Sequence, residues 1–197
     1  MIHLYSINTN NYEKTESKHK YDPFTIRHTL LTKVDKPDRY YKMLPHEKFS
    51  EGITVYCDAN MTLIKPEKLL KLCHNLENTE KSAIFFSHPQ RKTVRSEIVE
   101  CISQRLLDPS ALTRYNEWRK EGFKDDIELM ENNVLIRKTN DIELQECEKI
   151  WYEEYDKGMT RDQPSLPYAM WKSGFNNFIV MDQEVKEDIF KWRPHGR

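Results

Sequence analysis

Short apolar runs alternate along this chain with longer segments whose apolar residues recur at helical spacing, and that alternation narrows the fold more than any other feature. Ile2–Ile7 alternates as a strand does, and residues 24–31 form a second candidate. The best strand is Ile53–Cys57, β-branched and aromatic, opened by Gly52 and stopped by Asp58-Ala59-Asn60. Ala83–Phe86, residues 134–137 and a final strand at Phe178–Met181 complete the set. Between them, Leu69, Leu72, Cys73 and Leu76 fall at i, i+3, i+4, i+7 behind a Pro66 that suits a helix start. Residues 96–107 form a helix with Ile98, Ile102 and Leu106 on one face, and Asp108-Pro109 opens another that reaches Trp118 and closes at Gly122. Asn140 followed by Glu143 reads as a capping box for a helix carrying Leu144, Cys147 and Trp151, ended by Gly158. The last helix spans residues 164–172, with Gly174 past its end. Strands separated by helices predict an α/β sandwich with a mostly parallel central sheet.

With no internal repeat, low-complexity tract or linker, the 197 residues are expected to form one domain. The closing stretch from Trp192 to Arg197 carries no structural stop, so a domain cut from a longer chain stays open. Lys plus Arg is 31 against 32 Asp plus Glu, a balance that argues against a general nucleic-acid binder or a polybasic membrane protein. No run approaches the ~20 apolar residues that span a bilayer. The N-terminus goes straight into a strand without a basic region or a long apolar one, so no signal peptide is expected. Cytoplasm, or host cytoplasm for a viral chain, is the default compartment. Cys57, Cys73, Cys101 and Cys147 form no C-x-x-C and read as reduced, half-buried small hydrophobes. The five glycines, Gly52, Gly122, Gly158, Gly174 and Gly196, all stand alone. Neither Gly-rich phosphate cradle can be written from them, so any phosphate must be held by side chains or a metal.

Four polar clusters could carry chemistry. Asp58-Ala59-Asn60 follows the best strand, where ligands of open α/β sheets bind, and its two oxygen-bearing side chains could reach a hard cation such as Mg²⁺ or Mn²⁺. An Asx-turn at the strand end is the plainer alternative. Arg161-Asp162-Gln163 precedes a helix and could offer a cation, a carboxylate and an amide to one polar ligand, or simply an N-cap at Asp162. His88 and Arg91, followed by Glu97, lie past another strand and could contact a ligand or be ordinary loop residues. Arg39 and Lys42, near His46, could face a diphosphate or be a solvated basic pair.

The order of these clusters carries more than any one of them. Arg39-Tyr40-Tyr41-Lys42-Met43-Leu44-Pro45-His46, then Val55-Tyr56-Cys57-Asp58-Ala59-Asn60, then His88-Pro89 with Arg91 and Glu97, then residues 131–137, then Arg161-Asp162-Gln163-Pro164-Ser165-Leu166 resembles a group of GT-A-type glycosyltransferases. That glycosyltransferase-like family has plant cell-wall, bacterial capsule and large algal virus members, and the resemblance spans roughly residues 35–175.

The resemblance implies a single GT-A, Rossmann-like domain that takes a nucleotide sugar, UDP-linked by the fold's prior, with Mn²⁺ or Mg²⁺, and a glycan or glycoprotein acceptor. Asp58 and Asn60 would hold the metal, and Asn60 departs from the family's second aspartate, removing a negative charge. His195 is a candidate third ligand. Arg39 and Lys42 are expected at the nucleotide or diphosphate, and the first strand should end beside base and ribose. Asp162 is expected across the donor sugar, as a base or as a carboxylate steadying oxocarbenium charge. Arg161 and Gln163 would bind sugar hydroxyls or phosphate, and the Asp-Gln pair leans toward retention. His88 and Arg91 are expected on the acceptor or donor side.

Two other classes compete. A metal-dependent phosphoester hydrolase or nucleotidyltransferase also uses acidic residues at strand ends, although it wants two or three clustered carboxylates. A non-catalytic carbohydrate-binding module of the same fold could use some of the 10 Tyr, 8 Phe and 4 Trp to stack on sugars.

Overall fold

A computed structural model describes residues 1–9, 26–37 and 39–194 of the chain. The candidate ligand His195 and the first two residues of the predicted 24–31 strand lie outside these. The described residues build a six-stranded sheet in the order β2-β1-β3-β6-β5-β7, with β1 Ile2–Ile7, β2 Ile26–Leu31, β3 Ile53–Cys57, β5 Ala83–Phe86, β6 Val134–Lys138 and β7 Phe178–Met181. Five strands run one way and β6 runs against both of its neighbours, so the sheet is mostly parallel, as the alternation predicts.

The strand sequences explain why helices cover both faces. All five residues of β3 are buried. Because successive side chains point to opposite faces, β3 feeds two cores. Ile53, Val55 and Cys57 pack with Leu69, Cys73 and Leu76 of α2, Pro66–Glu77. Tyr56 packs on the other side with Leu144, Cys147 and Trp151 of α5, Ile142–Asp156, and with Leu166, Ala169 and Met170 of α6, Asp162–Ser173. A third cluster joins α3, Val94–Ser103, and α4, Ser110–Glu121, to α6 through Ile98, Trp118 and Tyr168. Trp118 stacks on Tyr168 with ring centroids 4.4 Å apart. All four cysteines are free and buried, and burial pushes the Cys57, Cys73 and Cys147 thiols up to about 12.

Several boundaries differ from the sequence reading. The helix over 96–107 begins at Val94 behind a Thr93 cap and stops at Ser103. Arg105 adopts a left-handed φ of 58°, which turns Leu106 out to 47% exposure and sends Leu107 inward instead. The cap of α5 is Asp141, whose carboxylate accepts the Leu144 N–H at 2.8 Å, and not Asn140. The helix at 164–172 is not the last, nor is Phe178–Met181 the last strand. They are followed by α7, Gln183–Ile189, and by β8, Phe190–Trp192, which pairs antiparallel with β4, Met61–Leu63. Three-residue strands paired over such a separation, and a seven-residue helix burying only Lys186 and Ile189, are too short to show a period.

Gly52 is the glycine the fold requires. Its φ is +88°, and a Cβ there would collide with the Met1 carbonyl oxygen, which accepts the Ile53 N–H. Gly52→Ala should therefore destabilise the fold by about 1–3 kcal/mol, read from the midpoint of urea unfolding; an unmoved midpoint would show that the β1–β3 junction absorbs the methyl group.

Candidate functional site

The strand order reverses at β1, which has β2 on one side and β3 on the other. In open α/β sheets the cleft beyond the carboxyl ends of the strands at such a reversal receives ligands. Here β3 delivers Asp58 to that edge. Antiparallel β6 starts where its neighbours end, so the residues before it, 131–133, arrive at the same edge, and the Asp58 N–H donates to the Asn133 carbonyl at 2.9 Å. The N-terminus of α6 and a short helix, α1 Tyr40–Met43, close the remaining sides.

The resulting cavity, about 280 Å³, is lined by Arg39, Lys42, Asp58, Asn60, residues 131–133, residues 161–163 and Trp192. The clusters R-x-x-K, D-x-N and R-D-Q, more than a hundred residues apart at their extremes, thus share one wall. His88 and Arg91 do not line it. The His88 Nδ1 accepts the backbone N–H groups of Gln90 and Arg91 at 3.2 and 3.0 Å, and Arg91 and His88 both face the buried Glu97. Burial is the main cause that lowers the His88 pKa. A larger hollow of about 380 Å³ opens at the amino end of β1, lined by Met1, Ile2, Leu70, Lys71, His74 and Glu77, and none of the candidate site residues reaches it.

The centre of the cavity is Lys42. Its side chain is 2% exposed, and its Nζ lies 2.5 Å from an Asp162 oxygen and 3.3 Å from Asp58 Oδ1. The Tyr56 ring sits beneath the ammonium, 4.8 Å from its centroid, and the Tyr56 hydroxyl donates to Asp58 Oδ1 at 2.6 Å. Burial alone would push the Asp162 carboxyl up; Lys42, Arg39 and Arg161 outweigh it and hold the group well below the usual carboxylate range. The Asp162 carboxylate in turn raises Arg39 further, against the effect of burial. Asp162 opens α6 as its first helical residue, with Arg161 at the cap position making no capping bond. The carboxylate is therefore turned to Lys42 and is not spent as the N-cap the plainer sequence reading allowed.

The backbone of this centre is fixed from behind. The Tyr5 hydroxyl donates to the Tyr41 carbonyl at 2.8 Å, and Arg137 donates to the Lys42 carbonyl at 2.9 Å, to the Tyr5 hydroxyl at 3.0 Å and to Glu148 at 2.9 Å. The Asp162 carbonyl accepts from Trp151 Nε1 at 2.8 Å and from Asn132 Nδ2 at 3.1 Å. That leaves Asn132 Oδ1 a buried acceptor without a partner, and the Nε of Arg161 is likewise unpaired. Lys186 of α7 reaches Glu131 and, at 3.2 Å, Asn133. Trp192, 55% exposed, adds an aromatic plate. Asn132, Trp192 and Lys186 were missed by sequence reasoning, since each enters the site only through the reversal of β6 or the short β4–β8 pair.

Asn60 behaves differently from a free ligand. Its amide nitrogen donates to the Arg193 carbonyl at 3.2 Å while its own carbonyl accepts the Arg193 N–H at 2.9 Å, so it ties β8 to the end of β3. Among the described residues no three His, Cys, Asp or Glu side chains gather as a metal centre. A divalent cation on Asp58 would share that carboxylate with the buried ammonium of Lys42. The donor set as arranged does not fit the metal that the resemblance implies.

Fold and site together define an α/β protein with a charge-lined, lysine-bridged cleft at a topological switch point. In structure the chain is similar to a glycosyltransferase involved in the glycosylation of the major capsid of PBCV-1, at 11% identity over 96% of this chain and 90% of that one, with a TM-score of 0.45. It is also similar to the galactosyltransferase LgtC in complex with donor and acceptor sugar analogues, at 10% identity over 91% and 73% of the two chains and a TM-score of 0.45. An active-site mutant of LgtC gives 12% identity over 91% and 72%, with a TM-score of 0.46. No family model matches the chain, and no curated protein matches it in sequence. Likeness of this degree leaves the functional reading to the residues of the cleft.

Proposed function

We propose that the chain is a glycosyltransferase that moves a sugar from a nucleotide-diphosphate donor, a UDP-sugar first, to a glycan or glycoprotein acceptor. The observation that carries this reading is the meeting of Arg39, Lys42, Arg161 and the ionised Asp162 in one cleft with the unpaired Asn132 Oδ1. Glycosyl transfer asks for fixed positive charge where the diphosphate departs and for a negative group where the anomeric carbon turns cationic. The three cations answer the first need and Asp162 the second. A carboxylate held this far below the unperturbed value of about 3.9 is a poor proton acceptor, so Asp162 steadies charge and does not deprotonate the acceptor, in keeping with retention of configuration. Asn132 and Gln163 supply acceptors for sugar hydroxyls, and Trp192 a flat apolar surface for a ring face.

The phosphoester hydrolase reading loses ground, because the two carboxylates it would dedicate to metals are bridged by a lysine. No helix of the described residues is long and apolar enough to cross a membrane. A thermal-shift screen of UDP-, GDP- and TDP-sugars tests the proposal, since a ligand that binds only the folded state raises the melting temperature by mass action. One donor class should raise it by several degrees. No shift with any nucleotide sugar, with and without Mn²⁺, would sink the transferase reading.

A further inference from the structure

We propose that this chain neutralises its departing diphosphate with Lys42, Arg39 and Arg161 in place of a divalent cation, with Lys42 standing where a metal would otherwise bridge protein and phosphate. The inference rests on the transferase reading and narrows it to a cation-assisted, metal-independent reaction.

Geometry carries it. A bridging metal on Asp58 would have to sit within a few ångströms of a buried ammonium. Asp58 Oδ1 already accepts the Tyr56 hydroxyl at 2.6 Å and lies 3.3 Å from Lys42 Nζ, and Asp162 contacts the same ammonium at 2.5 Å. The side chain of Lys42 is 2% exposed and its ammonium lies over the Tyr56 ring between the two carboxylates, so a second cation there would have to displace it. Two like charges a few ångströms apart in a partly buried site repel strongly. Asn60 carries no charge, so Asp58 would face a metal without the second carboxylate of an Asp-x-Asp pair. The cavity wall carries Arg39, Lys42 and Arg161 against Asp58, Glu131 and Asp162. Glu131 is matched by Lys186 from behind, leaving Arg39, Lys42 and Arg161 against Asp58 and Asp162. With the Glu131–Lys186 pair set aside, one positive charge is left over on the wall.

In the step itself the bond between the anomeric carbon and the phosphate oxygen breaks, with its electron pair going to that oxygen. The acceptor hydroxyl oxygen forms the new bond to carbon, and its proton passes to the departing diphosphate. The charge that develops on the leaving oxygen is met by the ammonium and guanidinium groups, whose hydrogen bonds to an anion are of the strong, charge-assisted kind.

The test titrates uridine, guanosine and thymidine diphosphates into the full chain calorimetrically, in EDTA and again with Mn²⁺ in excess. One diphosphate should bind in EDTA, and Mn²⁺ should change its affinity by less than about threefold, while Lys42→Met should weaken it in EDTA by about tenfold or more. Should Lys42→Met prove unfolded by circular dichroism, Arg161→Gln, at the less buried rim, must show a loss of the same sign. Binding that appears only with Mn²⁺, or tightens with it by about tenfold or more, overturns metal independence and leaves the transferase reading standing. No binding of any diphosphate in either arm overturns both. Undiminished affinity in both variants overturns the role given to these cations.

Discussion

Asp162→Ala should abolish sugar transfer, by about a hundredfold or more, and should also cost about 3–5 kcal/mol of stability. Both effects come from one contact. Asp162 is 3% exposed and its oxygen lies 2.5 Å from an ammonium that is itself buried. Removing it leaves Lys42 with Asp58 at 3.3 Å as its remaining carboxylate contact, and an uncompensated buried charge is expensive. On the proposed mechanism it also removes the carboxylate assigned to steady the anomeric carbon. Asp162→Asn separates the two roles: the amide keeps shape and the α6 start, so stability should recover in part while transfer does not. Steady-state transfer and urea unfolding on the three proteins check this, and an active, stable Asp162→Ala would end the assignment.

The same group makes a pH statement with a definite sign. Its folded-state pKa is depressed, so its contribution to stability is present in full above the unfolded value of about 3.9 and is lost as pH falls toward the folded value. The stability gap between the wild type and Asp162→Ala should therefore be flat through neutral pH and narrow in acid below about pH 4. A gap that widened on acidification would contradict the assigned direction.

The second large effect is expected outside the cleft. Arg137 is 1% exposed on β6 and donates to Glu148, the Tyr5 hydroxyl and the Lys42 carbonyl. Arg137→Leu should destabilise the chain by about 3–5 kcal/mol, because Glu148 then stays buried with its charge-paired guanidinium gone. His46, 2.9 Å from the other Glu148 oxygen, offsets part of this where it carries a proton. Since Arg137 also fixes the carbonyl of Lys42, diphosphate affinity should fall in the folded fraction. Arg137→Lys keeps the charge but cannot serve three acceptors in the geometry of a planar fork, so it should lie between the two. Unfolding midpoints and diphosphate titration of the three proteins decide the matter.

Much of this was legible in the chain. Strands such as Ile53–Cys57 and Ala83–Phe86 are runs of buried residues bounded by turn formers, and the structure begins and ends them at the same positions. Leu69, Cys73 and Leu76 repeat at helical spacing because only one face of α2 meets the sheet. Of the candidate site residues, Arg39, Lys42, Asp58, Asn60, Arg161, Asp162 and Gln163 come together in one cavity, whereas His88 and Arg91 turn to Glu97. What was illegible has a common cause. The direction of β6 has no sequence signal, because a buried strand reads the same either way. That direction alone puts Asn132 beside Asp162 and not at the far edge of the sheet. The β4–β8 pair, three residues a side and far apart in sequence, shows no period of its own, so the stretch from Trp192 showed no structural stop.

By itself the sequence determined the layering of the fold, because hydrophobic period is a local property that every turn of helix and every strand must satisfy. It also excluded phosphate cradles of bare backbone, since five scattered glycines cannot build one. The tertiary structure decided which of the polar clusters meet. Arg39 with Lys42 is no solvated pair, because the fold buries the ammonium between Asp58 and Asp162. At Asp58-Ala59-Asn60 the fold sets Asp58 Oδ1 3.3 Å from that ammonium and ties Asn60 to Arg193. A charge in water has no fixed partner; packed where water cannot reach, it takes the one the fold places beside it.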